Sequence, residues 1–211
     1  MKRLLLAGMG MVLAVALAGC IGGGDGARNI FASIMSNPSV DGDVAYDPVA
    51  VSYTYSHASA TGSVWVGIDD GALNTPEYAG LLDFSLNGST GWDDVPSWAT
   101  IVSADIEIFV TGVSYGSPVT VFLDLVDITG SSSTDFNSAY LATRSVNFFT
   151  VDQNNYVRID VTPLMLEAQR LGRPHLQVRY RLDPAAIGGL VQIDDRSAFR
   201  STRPLLTVEY F

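Results

Sequence analysis

The 211-residue sequence predicts an all-β fold in which two antiparallel sheets pack face to face, with one short helix. Three observations carry that prediction. Apolar residues recur with a period of two, the runs are short and bounded by Gly, Pro, Asn, Asp and Ser, and a helical signal occurs once. Strands that follow one another without intervening helices argue for antiparallel sheets and against a parallel α/β fold.

The elements follow in order. Val64, Val66 and Ile68 share one strand face and leave Trp65 on the other; Leu82, Phe84 and Leu86 form the next inward set. Ala104, Ile106, Ile108 and Val110 repeat the pattern and turn Asp105, Glu107 and Phe109 outward. Val119 to Leu125, Val157 to Val161, Leu176 to Leu182, Val191 with Ile193, and Leu206 to Tyr210 complete the series. Tyr53 and Tyr55 alternate with Ser52, Thr54 and Ser56, a stripe that suits either a core or a platform. The helix is expected in DVTPLMLEAQRLGRP, where Thr162 is placed to cap, Pro163 suits the first helical position, and Gly172 with Pro174 stops the run. Leu164, Leu166, Ala168 and Leu171 would then plug one end of the core.

Charge is unevenly spread. From Asn29 to Thr143 there are fourteen acidic residues and no Lys or Arg, whereas Arg144 to Phe211 carries nine arginines against seven acids. The formal net charge of −10 and the absence of a basic face in the acidic part argue against nucleic acid as a partner. Asp194, Asp195, Arg196 and Arg200, in DDRSAFRSTRP, are expected to be turn and sheet-edge charges. Arg179 and Arg181 read as outward-facing; they would suit an acidic sugar, but pairing with Asp105 and Glu107 across the sheet is favoured.

The chain opens MKRLLLAGMGMVLAVALAGC, two cations followed by an apolar run too short and too rich in Gly and Ala for a membrane span, as in a cleavable export signal over residues 1–19. Leu17-Ala18-Gly19-Cys20 resembles a bacterial lipobox. That resemblance implies a lipid-modified Cys20, the sole cysteine, and anchorage to a membrane, with the outer membrane or cell surface favoured because residue 21 is not aspartate. A Gly-rich tether is expected over residues 20–40 and the sandwich domain over 41–211.

Four stretches carry a second resemblance: VWVGIDD, YAGLLDFSLNGSTGWDDVPSWATIVSADIEIFV, YVRIDVTPLMLEAQRLG and DDRSAFRSTRPLLTVEYF. In this order they are similar to the bacterial DNRLRE-type domain, grouped with the family 96 carbohydrate-binding modules, over about Asp41 to Phe211. The resemblance implies a sandwich that binds polysaccharide without catalysis. The chain departs from the pattern at Asp83 and Ala79, and its middle segment DITGSSSTDFNSAYLATRSVNF lacks the tryptophans usual there.

Chemistry is sparse. His57 and His175, the only histidines, are far apart in sequence, and the sole cysteine is Cys20, lipid-modified as the lipobox resemblance implies, which argues against zinc. No nucleophile elbow, HExxH pair or phosphate-cradling loop is present, so no catalytic residue is assigned. A structural calcium is the cofactor to consider, with Asp41, Asp43, Asp69 and Asp70 near loop ends as oxygen donors; a hard cation needs six to eight oxygens, and Asp-Gly pairs also make turns unaided. A pyranose has an apolar face and a polar rim, so Trp65, Trp92 and Trp98 are the candidate carbohydrate-binding residues. Together these observations predict a jelly-roll-like antiparallel β-sandwich on a lipid anchor that binds polysaccharide. The alternative is a structural or adhesive envelope protein that contacts other proteins, and a hydrolase ranks third for want of a nucleophile or metal set.

Overall fold

A computed structural model describes residues 28–186, 188–196 and 202–211. Residues 1–19, Cys20 and the first part of the tether lie outside these, as do Ser197 and Arg200. Among the described residues the strands are β1 (Ile30–Met35), β2 (Gly42–Asp47), β3 (Ser52–His57), β4 (Ser63–Ile68), β5 (Glu77–Ser85) and β6 (Ile101–Ser114). They continue with β7 (Val119–Leu125), β8 (Ala142–Phe148), β9 (Asn155–Asp160), β10 (His175–Leu182), β11 (Gly189–Asp194) and β12 (Leu205–Tyr210). Helices are α1 (Ala58–Thr61), α2 (Ser132–Asn137) and α3 (Thr162–Arg170).

All strand pairings are antiparallel, and the sheet curls into two layers. One layer runs β1-β12-β6-β11-β4 with β9 on the other edge of β6; the second runs β3-β2-β5-β10-β7-β8. Among the described residues the strand ladders of the two layers meet where β4 pairs with β5, at Gly67↔Tyr78 and Ile68↔Glu77. Gly67 has φ 109°, and a Cβ there would stand 2.0 Å from the Gly189 carbonyl oxygen, so the corner requires glycine.

The inward sets read from the period of two are the core: Val64, Val66, Leu82, Phe84, Ile106, Ile108, Val121, Leu123, Val178, Ile193, Leu206 and Val208 are all buried in one cluster. β1 lies inside the stretch assigned to the tether and pairs along its length with β12, so the sheet begins at Ile30. The sequence pattern also passed over β2, whose Asp43 was expected near a loop end, and α1, α2 and β8.

The helix forms where expected, with two differences. Val161 is its N-cap, while Thr162 Oγ1 instead accepts the Ala104 amide at 2.9 Å and ties the helix start to β6; the Asp160 carboxylate accepts the Thr162 amide at 3.0 Å. Leu164, Met165 and Ala168 form the buried face, and Leu166 points to water. Among the described residues no helix is long and apolar enough to cross a membrane.

Candidate functional site

A cleft of about 390 Å³ opens between the β5–β6 connection and the C-terminal half of α3. Leu86, Val95 and Met165 give it an apolar floor, and Asn87, Asp94, Ser97, Gln169 and Arg173 supply its polar rim. The connection is held by its own turn chemistry. Asn87 Oδ1 accepts the Ser89 amide at 3.0 Å and the Ser85 hydroxyl at 2.8 Å, Gly91 N–H donates to the Gly88 carbonyl at 2.9 Å, and Val95 N–H donates to Leu86 at 2.9 Å. Gln169 fixes the far wall: its Nε2 donates to the Ala99 carbonyl at 2.7 Å and to the Ser97 carbonyl at 3.4 Å, on either side of Trp98.

The three tryptophans part company. Trp98 is 76% exposed on that pinned backbone, beside the cleft. Trp92, in the same connection, is half-buried and packs against the core. Trp65 lies half-buried on β4 with its ring centroid 6.1 Å from that of Tyr78. Its carbonyl sits over Gly80, five residues from Ser85 and hence roughly 17 Å along the strand from the cleft. Of the three tryptophans, Trp98 is thus the exposed one next to the cleft, whose lining takes in its neighbours Pro96 and Ser97; Asn87, Asp94, Gln169 and Arg173 are lining residues that sequence reasoning missed. The NGSTGWDD turn signal marks the loop, but Gln169 and Arg173 come from a helix end distant in sequence.

The four carboxylates expected to share calcium do not gather. Asp69 and Asp70 lie on the β4–β5 turn, where Asp69 Oδ1 accepts the Gly71 amide at 3.0 Å. Asp41 and Asp43 are buried at the start of β2, and Asp43 Oδ2 faces the Trp65 amide at 3.4 Å, completing the β4 backbone where that strand leaves its neighbour. Among the described residues no group of three or more His, Cys, Asp or Glu side chains is placed to hold a metal ion.

Asp194 and Asp195, expected at an exposed lip, are buried at 5% and 0% exposure. The reason is topological. β11 and β12 run along the same edge of β6, Ile193 opposite Val110 and Leu205 opposite Glu107, and the chain leaves that lane between them. The gap is filled with polar groups: Asp195 meets Asp41 and Ser36 (Oγ to Oδ1, 3.4 Å), Asp41 Oδ1 accepts the Asp83 amide at 2.7 Å, and Arg203 donates to the Ser36 carbonyl. Burial, then the neighbouring Asp195 charge, raises the Asp41 pKa well above the carboxylate range. Burial lifts Asp195 to about 6 against the opposing pull of Asp41 and Arg203. Oδ2 of each carboxyl has no hydrogen-bond partner among the described residues. Arg196 is exposed and reaches Asp194 at 3.2 Å.

The arginines on β10 are also differently engaged. Arg179 and Arg181 pair with Asp124 of β7 at 2.9 and 2.5 Å, and Asp105 is taken by Arg158 at 2.9 Å. Arg179, 3% exposed, further donates to the Asp135 and Phe136 carbonyls at 3.1 and 2.9 Å and so staples α2 onto the outer face of the second layer. His175 Nδ1 contacts Asp83 Oδ1 at 2.9 Å, and His57 stacks on Tyr55 with centroids 4.5 Å apart.

No family model matches the sequence, and no curated protein matches it either.

Proposed function

We propose that the protein is a non-catalytic surface module, held to the outer membrane or cell surface through a lipid on Cys20, that binds polysaccharide in the cleft beside Trp98. The observation that carries this reading is the Trp98 ring, 76% exposed on a backbone held from both sides by Gln169. A bulky apolar ring in water gains by covering the apolar face of a pyranose, while Asn87, Asp94 and Ser97 address its hydroxyls. Affinity electrophoresis of the purified protein through gels containing soluble polysaccharides tests it. Retardation by at least one polymer is expected; free migration in a panel of neutral, acidic and amino polymers overturns it.

A second reading, adhesion to another protein, is favoured by the hairpin tips. Val49 and Val51 are each 71% exposed and Leu73 is 90% exposed, and an Asn74 to Asp47 hydrogen bond of 3.0 Å joins the two tips. Replacing these three residues by serine abolishes envelope association with a partner on this reading and leaves glycan retardation untouched.

A further inference from the structure

We infer that the cleft selects a cationic amino glycan, a polymer of 2-amino-2-deoxy sugars, and rejects uronates. This inference rests on the polysaccharide reading and names the charge class of its ligand.

The charge balance within the cleft decides it. Arg173 is the one cation in the lining, and its Nη1 is already paired with Asp127 Oδ1 at 2.5 Å. Asp94 lines the same cleft with an exposed carboxylate that makes no hydrogen bond or ion pair among the described residues. It is thus not consumed in holding its loop, the ordinary duty of an aspartate in a turn; Asn87 performs that duty instead. Gln169 spends its amide N–H groups on the two carbonyls flanking Trp98 and keeps its oxygen as an acceptor. What the rim leaves uncommitted includes the Asp94 carboxylate and the Gln169 oxygen, acceptors that suit hydroxyl and ammonium donors, beside the Asn87 amide N–H groups and the guanidinium N–H groups of Arg173 that Asp127 does not take.

Among the described residues from Arg144 onward a polyanion finds nothing better. Each described arginine from Arg144 to Arg203 lies within 4 Å of an aspartate or glutamate oxygen. Arg179 and Arg181, the pair on which an acidic sugar would have depended, are both spent on Asp124. With a formal charge of −10 over the whole chain, the protein repels a chain that carries one carboxylate per sugar.

The test uses short defined ligands, because a long polycation would adhere to any acidic protein. Isothermal titration of the full chain in detergent, at about pH 6 where a sugar amine is protonated, compares a glucosamine tetramer with its N-acetylated form and with a tetramer of galacturonate. A charge-assisted hydrogen bond sets the expected preference for the free amine at about tenfold or more over the N-acetylated form, with the uronate weakest. Asp94→Asn brings the amine down to the N-acetylated level, whereas Asp70→Asn, which removes the same charge elsewhere, preserves the preference. Equal binding of amine and N-acetyl forms, an unchanged preference in Asp94→Asn, or tighter binding of the uronate overturns the inference and leaves the polysaccharide reading intact. Failure of all three tetramers, together with free migration in every polysaccharide gel, removes the polysaccharide reading itself.

Discussion

The side-chain amide of Gln169 donates to the Ala99 carbonyl at 2.7 Å, joining α3 to the loop that carries Trp98 across seventy residues of sequence. The same Nε2 reaches the Ser97 carbonyl, so one glutamine holds the backbone on both sides of an exposed ring. A platform presented this way loses little conformational freedom when a ligand stacks on it.

Gln169→Leu removes both bonds while keeping the side chain's bulk. Loss of a net hydrogen bond costs about 1 kcal/mol of stability, read as a lower urea midpoint at unchanged slope. Retardation in polysaccharide gels weakens several-fold because the ring is no longer held. Wild-type retardation in this variant would show that Trp98 needs no support from α3.

Stability falls as pH rises from 5 to 8. Burial holds the Asp43 pKa up at about 7 and that of Asp195 at about 6, and raises Asp41 as well. Each is above its unfolded value of about 3.9, so the folded state binds more protons, and its advantage is present below that value and lost as pH climbs through 6 and 7. Asp47 and Asp160, held low by hydrogen bonds from Ala50 and Thr162, act in the opposite direction and only below about pH 4. Asp43→Asn keeps an acceptor for the Trp65 amide without a charge, so it equals wild type at pH 5 and exceeds it at pH 8, by at most a few kcal/mol at about 1.4 kcal/mol per pKa unit. Urea unfolding at the two pH values measures this; a wild-type midpoint that rises with pH contradicts it.

Asp124 is fully buried between two arginines, of which Arg179 is 3% exposed. Asp124→Asn leaves that guanidinium in the interior without a counter-charge and costs about 3–5 kcal/mol. Arg181→Gln costs far less, because Arg181 is 24% exposed and Asp124 keeps Arg179. Thermal unfolding of the two variants gives the comparison, and equal losses would show that the pair is not the anchor of α2.

The layers were legible because their signal is local. Phe84 between Leu82 and Leu86, or Ile106 between Ala104 and Ile108, announces a buried face through the pleat alone, and all of them are core. β8 was less visible: ATRSVNF alternates only between half-buried and exposed until Phe148, as befits the last strand of a layer. α2 has a polar sequence, SSTDFN, and is held by Arg179 from another strand, a contact no window of sequence contains. Asp194 and Asp195 misled for a related reason. Two acids in a charge-rich run resemble surface, and their burial follows from β11 and β12 sharing one lane of β6. In the cleft, tryptophan identified the loop, whereas the choice of Trp98 over Trp92 and Trp65 depended on packing.

Affinity electrophoresis of Trp98→Ala beside Trp65→Phe tests the central claim most directly. Because Trp98 is 76% exposed, its removal changes stability by no more than about 0.5 kcal/mol, so any loss of binding is a loss of contact. The account predicts that Trp98→Ala migrates freely through a polysaccharide that retards both the wild type and Trp65→Phe. Undiminished retardation of Trp98→Ala contradicts it.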